Sequence, residues 1–188
     1  MTELQGLLER LVTILDGAGV PFMIAGSFAS AAHGLPRTTQ DVDIVIDPPT
    51  PAALDALLRA MPPDHYYVDA HTAHDALRRR SMFNVVDQAS GWKIDFIIRK
   101  DRPFSRDEFA RRMAVSMVGV AVFLASPEDT VVSKLEWSKQ SGGSERQRRD
   151  VAGIVATVGD ELDRAYIERW IQDLDLADEW QRAQETAV

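Results

Sequence analysis

A short strand, a glycine-serine turn, an alanine-rich helix and a second strand with two aspartates follow one another within residues 22–47. The first strand is an apolar run that ends at Gly26 and Ser27, which is typical of a buried strand entering a turn. Asp41 and Asp43 are two residues apart on the second strand, so both side chains project from one face of the sheet. Adjacent carboxylates repel each other and destabilise a fold unless something neutralises them. This segment therefore predicts a cation site on a sheet.

Divalent metal ions are the candidate cations, because Mg²⁺ and Mn²⁺ prefer oxygen ligands such as carboxylates. Asp95 is the candidate third acid, since it interrupts the apolar run 92–98 and a charge inside a buried strand is costly unless it is paired or bound to metal. It would act as a metal ligand or as the general base of a transfer reaction. The alternative is a salt bridge with Lys93 or with an arginine. We predict that Asp41, Asp43 and Asp95 are the catalytic and metal-binding residues.

A phosphate site is predicted at the turn between the first strand and the helix that follows it. Backbone N–H groups and the helix dipole at such a position favour an anion. Gly26 allows a ligand to approach the backbone closely, and Ser27 adds a hydroxyl donor. An ordinary strand-to-helix turn built of small residues is the alternative. The phosphate interpretation gains weight because Asp41 and Asp43 follow shortly afterwards, so that we expect a triphosphate and a metal to meet in one crevice at the carboxyl ends of the strands.

The rest of the chain shows hairpin and helix signals. Two pairs of apolar runs, within 82–98 and 115–125, are separated by short turn segments and predict β-hairpins. Ser105 with Glu108 three residues later matches a capping box and predicts the start of a helix. Residues 165–184 are predicted to form one helix with acidic and aromatic faces.

These elements predict an α+β fold. We expect a small mixed sheet, mostly antiparallel, with flanking helices and a C-terminal helical segment. The length of 188 residues suits one ordinary domain or a core with a helical appendage. We place a core at 1–125 and a helical segment packed on it at 126–188.

Composition excludes several classes of protein. A hydrophobic fraction of 45% with interspersed charges is typical of soluble globular chains, and no apolar run approaches the roughly 20 residues that cross a membrane. We expect a cytoplasmic protein without a membrane partner. The absence of cysteine excludes disulfides and thiolate sites. A net charge of −8 argues against non-specific coating of nucleic acid, which requires a basic surface.

The acids and the glycine-serine turn carry a resemblance to a known superfamily. Gly26-Ser27, then Asp41-Val42-Asp43-Ile44, then the isolated Asp95 resemble the polymerase-beta-type nucleotidyltransferases. The pattern of that superfamily is a hydrophobic residue, Gly with Gly or Ser, a spacer, Asp-hydrophobic-Asp-hydrophobic and a third acid further on. The resemblance implies the nucleotidyltransferase fold.

A narrower resemblance comes from the segments beside these motifs. The run Gly34-Leu35-Pro36-Arg37-Thr38-Thr39-Gln40 before Asp41, together with Ser126-Pro127-Glu128-Asp129 leading into Lys134-Leu135-Glu136-Trp137, is similar to small microbial nucleotidyltransferase-like proteins related to the AbiEii toxins. The two resemblances together cover about residues 20 to 155.

The resemblance implies a reaction and residue roles. A nucleoside monophosphate would pass from a nucleoside triphosphate (NTP) to an acceptor hydroxyl, with Mg²⁺ or Mn²⁺ as cofactor and pyrophosphate as product. Gly26 and Ser27 would hold the terminal phosphates, Asp41 and Asp43 the metals, and Asp95 the metal nearest the acceptor.

Two cations are candidates for contacts with the nucleotide. Arg37 either clamps phosphate oxygens with its planar guanidinium or neutralises the carboxylates. Lys134 lies among apolar residues and either extends to solvent or reaches phosphates; the resemblance favours phosphate or nucleotide contact. Asp150 is four residues from Arg146, a spacing that usually marks a surface ion pair, with a catalytic role as the minority interpretation.

The acceptor and the partners are expectations from the same resemblance. The protein would be the toxin of a toxin-antitoxin pair, with tRNA or a protein as acceptor and a cognate antitoxin as partner. The basic residues Arg146, Arg148, Arg149 and Lys139, with the three arginines at 78–80, form either an RNA-binding patch or, as the charge balance favours, solvated helix faces. A catalytically idle nucleotidyltransferase fold that serves as a binding module, and a small-molecule nucleotidyltransferase of the aminoglycoside type, are the alternatives.

Overall fold

The computed structural model describes residues 2–186, which pack as two compact units. The first unit contains the residues up to Ile24 together with Thr39–Leu124, and the second contains Ala25–Thr38 together with the residues from Ala125 onward. The division into 1–125 and 126–188 stays a prediction, and the second unit also includes an early segment that this division places in the core.

The first unit is built on a seven-stranded sheet within the described residues. Its strands, in chain order, are β1 (Phe22–Ile24), β2 (Asp41–Ile46), β3 (Tyr66–Val68), β4 (Met82–Asp87), β5 (Lys93–Ile98), β6 (Met113–Met117) and β7 (Val120–Leu124). They lie in the order β3-β4-β5-β2-β1-β7-β6. The β1–β7 and β2–β5 pairs are parallel, and β1–β2, β3–β4, β4–β5 and β6–β7 are antiparallel. The predicted mixed, mostly antiparallel sheet is therefore confirmed.

Helices flank the sheet and form the C-terminal part, as predicted. In chain order they are α1 (Glu3–Gly17), α2 (Gly26–His33), α3 (Pro51–Arg59), α4 (Ala70–Arg79), α5 (Pro103–Ala110), α6 (Pro127–Gln140), α7 (Glu145–Val158), α8 (Arg164–Asp173) and α9 (Ala177–Gln184).

The core of the first unit follows from residue periodicity. Helix α1 buries one leucine stripe, Leu7, Leu8, Leu11 and Leu15, with the spacing of one helix face. The two central strands β2 and β5 bury the alternate residues Val42, Ile44, Ile46, Ile94, Phe96 and Ile98. Each fully buried Leu, Ile or Phe contributes about 1.5 to 3 kcal/mol of transfer free energy. This packing fixes the sheet that carries the aspartates.

In the second unit, helix α2 lies against α6 and α7. Gly34 follows α2, and a Cβ added there would lie 2.8 Å from the backbone nitrogen of Ile154 in α7, so only glycine allows this approach. Helix α6 begins as predicted, with the Ser126 hydroxyl accepting from the Asp129 backbone N–H at 3.1 Å and proline in the first turn.

Two sequence expectations about helix boundaries were wrong. Helix α5 begins at Pro103, so Ser105 and Glu108 lie inside it; proline at the first helical position is the stronger start signal. The single helix expected over 165–184 is two helices, α8 and α9, because Asp175 between them has a left-handed backbone with φ 55°, which ends a helix.

Among the described residues 2–186, no helix combines the length and the apolar character that a membrane crossing needs.

Candidate functional site

The aspartates of the first unit lie on the neighbouring parallel strands β2 and β5. The register places Asp43 opposite Asp95 and Asp41 opposite Lys93. Residues that are two apart on a strand share a face, so the pairs put three carboxylates and one ammonium on the same face of the sheet. We call these four residues the acid cluster.

The acid cluster stands at the amino ends of its two strands. Asp41 and Lys93 are the first residues of β2 and β5. The predicted position was the carboxyl ends of the strands, as in a sheet of parallel strands. The difference arises because β1 runs antiparallel to β2, with Phe22 opposite Ile46 and Ile24 opposite Ile44, so the carboxyl end of β1 points towards the amino end of β2.

Asp95 forms the salt bridge that the sequence left as an alternative. The Lys93 Nζ lies 3.0 Å from each carboxylate oxygen of Asp95, and the Asn84 side-chain amide donates to Oδ1. Asn84 is the β4 residue opposite Asp95, so the contact follows directly from strand register. The Asp95 side chain is 10% exposed, whereas that of Lys93 is 42% exposed. A buried carboxylate therefore has a more exposed ammonium as its counter-charge.

Lys93 lies in the combined field of the three acids. Its hydrogen bond to Asp95, and then the negative charges of Asp95, Asp41 and Asp43, raise the pKa of Lys93 above its ordinary value, while burial opposes the shift. The ammonium form is therefore the dominant one at neutral pH.

The acid cluster fits a divalent cation in part. Asp41 is exposed and Asp43 is half-buried, and two carboxylates with substrate phosphates are a usual ligand set for Mg²⁺. Within residues 2–186, however, no three His, Asp or Glu side chains are grouped so that they could hold one metal ion. The sequence brings the three acids to one face, but Lys93 and Asn84 hold Asp95, so a shared three-acid metal site stays a prediction.

The turn predicted to bind phosphate lies in the second unit. Gly26 is the first residue of α2 and has φ 57°, a backbone conformation that residues other than glycine rarely adopt. Ser27 is buried in the first turn of this helix, and its backbone carbonyl accepts from the Ser30 hydroxyl at 3.1 Å. The local geometry is that of a helix amino terminus reached through a glycine, and phosphate binding there stays a prediction.

Arg37 and Lys134, also in the second unit, converge on one carboxylate. Lys134 Nζ lies 2.6 Å from Oδ2 of Asp150, and Arg37 Nε lies 3.4 Å from Oδ1. The Ser30 hydroxyl donates to the same carboxylate at 3.3 Å. The side chains of Lys134 and Asp150 are 7% and 9% exposed. The carboxylate of Asp150 therefore has two cations as neighbours, and its closer partner Lys134 is as buried as it is.

Sequence reasoning missed these partners of Asp150. The spacing of four residues on a helix pointed to Arg146, whereas the observed partners Lys134 and Arg37 lie 16 and 113 residues away in the chain. No spacing pattern in the sequence marks these partners, because they lie on other elements. In the structure the Asp150 side chain is 9% exposed, and buried carboxylates are almost always paired.

Most members of the basic segments have acidic neighbours. Such pairing is typical of solvated helix faces, so an RNA-binding patch stays a prediction. The pairs are Arg148 with Glu179, Arg149 with Glu145, Lys139 with Asp175, and both Arg78 and Arg79 with Asp75.

No protein-family model and no curated protein sequence matches the chain.

Solved structures of nucleotidyltransferases do match. The solution structure of the antibiotic-resistance factor ANT(2'')-Ia is similar over 98% of this chain and 96% of its own, with a TM-score of 0.58 and 14% identity. The crystal structure of ANT(2'')-Ia in complex with adenylyl-2''-tobramycin gives a TM-score of 0.58 and 14% identity over 96% and 99% of the two chains. The crystal structure of an antigenic nucleotidyltransferase-like protein from Paracoccidioides brasiliensis gives a TM-score of 0.57 and 19% identity over 95% of this chain and 92% of its own. The chain therefore has the nucleotidyltransferase fold.

Proposed function

We propose that this protein is a metal-dependent nucleotidyltransferase that moves a nucleoside monophosphate from an NTP to an acceptor hydroxyl. The observation that carries the proposal is the register of β2 and β5, which sets Asp43 opposite Asp95 and beside Asp41 on one sheet face. This arrangement occurs on a fold shared with known nucleotidyltransferases.

In the first unit, Asp41 and Asp43 would hold Mg²⁺ or Mn²⁺. When bound, the ion would neutralise charge on the phosphoryl oxygens of the NTP. Phosphoryl transfer asks a protein mainly for positioning and charge stabilisation. Asp95 would complete the acidic face and, with Lys93, fix its charge and geometry.

In the second unit, Gly26 and Ser27 would hold phosphate oxygens at the amino end of α2, where the helix dipole favours an anion. Arg37 and Lys134 would supply cationic donors. Asp150 would orient both cations, since its two oxygens contact one each.

A cationic small molecule of the aminoglycoside class is the acceptor that the observations favour. ANT(2'')-Ia has been crystallised with adenylyl-2''-tobramycin, and this chain carries a net charge of −8, which attracts cationic ligands. The pairing of most basic residues with acids argues against RNA as the acceptor.

The toxin role is the second candidate, and it rests on the likeness of the segments around Arg37 and Lys134 to AbiEii-related proteins. In this case tRNA or a protein would be the acceptor, and an antitoxin would be the partner.

The test is a labelled-transfer assay with each of the four NTPs and Mg²⁺, offering aminoglycosides, total RNA and total protein as acceptors. We expect label on one acceptor class with wild-type protein and with Asp16→Asn, an exposed aspartate of the same unit. Asp43→Asn should give none. Nucleotide binding without transfer to any class would instead support the idle binding module.

A further inference from the structure

Lys93 places an ammonium group among the three acids. It contacts both oxygens of Asp95 at 3.0 Å, and the charges of Asp41 and Asp43 act on it as well. Lys93 and Asp95 are two residues apart on β5, so they share a face and the contact is built into the strand.

The positive charge of Lys93 lowers the net negative charge of the acid cluster. It therefore weakens the attraction of these carboxylates for a further cation, whatever other contacts Asp43 makes.

The hydrogen bonds around Asp95 also disfavour a metal ion at this carboxylate. Lys93 donates to both of its oxygens, and Asn84 donates to Oδ1 from the opposite side. A metal ion on Asp95 would lie within a few ångström of the ammonium and be repelled by it. Asp41 and Asp43 lie on the neighbouring strand, where Lys93 acts on them by charge.

We propose that Lys93 is a built-in cation of the acid cluster and that Asp95 is its anchor and not a metal ligand. The wild-type protein binds one divalent ion, at Asp41 and Asp43, and Lys93 keeps a second ion from Asp43 and Asp95. This inference rests on the proposed metal dependence and assigns a different role to one of its acids.

The experiment counts Mn²⁺ bound to the full chain, without nucleotide, by electron paramagnetic resonance titration. Lys93→Met should raise the number of bound ions from one to two, or lower the Mn²⁺ Kd at least tenfold. Lys93→Arg, which keeps the charge, should bind as the wild type does. Lys100→Met removes an exposed lysine just beyond β5 and is the matched control, with no expected change.

The double variant Lys93→Met/Asp95→Asn separates charge from ligation. Because the added binding is assigned to Asp95, the gain of Lys93→Met should disappear in the double variant. A second readout is thermal unfolding: Lys93→Met should melt below the wild type without metal and recover with Mn²⁺. If Lys93→Met folds only when Mn²⁺ is present, this also supports the proposal. The Mn²⁺ titration is then carried out on Lys93→Gln, which removes the charge but keeps a polar side chain.

The contrary outcomes are distinct. Equal number and affinity of Mn²⁺ ions in wild type and Lys93→Met would overturn the role of Lys93 and leave the metal dependence intact. Binding of two ions to the wild type, with one of them lost in Asp95→Asn, would show that Asp95 is a metal ligand. That result would also overturn the role of Lys93 and leave the metal dependence intact. No Mn²⁺ binding in any variant would overturn the proposed metal dependence and this inference with it.

Discussion

Asp43 of β2 and Asp95 of β5 lie directly opposite each other on neighbouring parallel strands. The hydrogen-bonding pattern of the sheet therefore brings together two acids that are 52 residues apart in the chain. Any change that shifted β5 by one residue would send Asp95 to the other face, so the register is a requirement of the acid cluster.

Removing the charge of Asp43 should affect activity and leave the fold intact. Asp43→Asn is expected to lower nucleotidyl transfer at least about a hundredfold, because phosphoryl transfer depends on the metal charge that this carboxylate would hold. The protein should still unfold cooperatively, because Asn has nearly the size and shape of Asp and Asp43 is only half-buried. Transfer assays and thermal unfolding measure the two effects. Full activity in the variant would remove Asp43 from the mechanism.

The close approach of Gly34 to α7 predicts a steric penalty. A Cβ there would lie 2.8 Å from the Ile154 nitrogen and 3.0 Å from the Gly153 carbonyl carbon, and neither backbone atom can move away cheaply. Gly34→Ala should lower the free energy of unfolding by about 1 to 3 kcal/mol, measured by urea denaturation. Gly17→Ala is the control, because a Cβ there meets nothing within 4 Å, and it should be neutral or stabilising.

The buried pair of Lys134 and Asp150 predicts a stability coupling. Lys134→Met leaves Asp150 with weaker partners in a dry environment and should lower the free energy of unfolding by about 3 kcal/mol. Lys134→Met/Asp150→Asn should recover part of the loss, since the buried carboxylate that lost its closest donor is gone. Urea unfolding of both variants and of Asp150→Asn completes the cycle. Additive losses would show that the two side chains are not coupled.

The surface pair of Lys139 and Asp175 predicts a shifted titration. The hydrogen bond from Lys139 and then its positive charge hold the pKa of Asp175 below its ordinary value of 3.8. The pair therefore stabilises the fold above that pH, and the contribution is lost as the pH falls through the lower folded-state pKa. A carboxyl-carbon NMR titration should show the depressed pKa in wild type. In Lys139→Met the pKa of Asp175 should return towards 3.8. An unchanged pKa of Asp175 in this variant would exclude Lys139 as the cause of the shift.

Local patterns were sufficient to predict the aspartate strand. Alternation of Asp41, Val42, Asp43 and Ile44 fixes the strand and the shared face of its acids, and the structure has β2 at Asp41–Ile46 as expected. The Ser126 cap and the hairpin of β4 and β5 follow from similarly local signals. These features depend on residues that are near neighbours in sequence.

Long-range partners could not be predicted in the same way. The sequence offered Lys93 as one of several partners for Asp95, and only the β4–β5 and β2–β5 registers place Lys93, Asn84 and Asp43 around it. Asp150 shows the same difficulty, since its cations come from α6 and from the segment after α2. Helix packing, and not spacing along one helix, determines these contacts.

The ammonium of Lys93 has a consequence for how the protein would be made in a cell. A chain whose acidic face carries its own counter-charge can complete its sheet before any metal is loaded. On the proposed metal dependence, synthesis under metal starvation would then yield folded but inactive molecules, and adding metal back would restore activity without new translation.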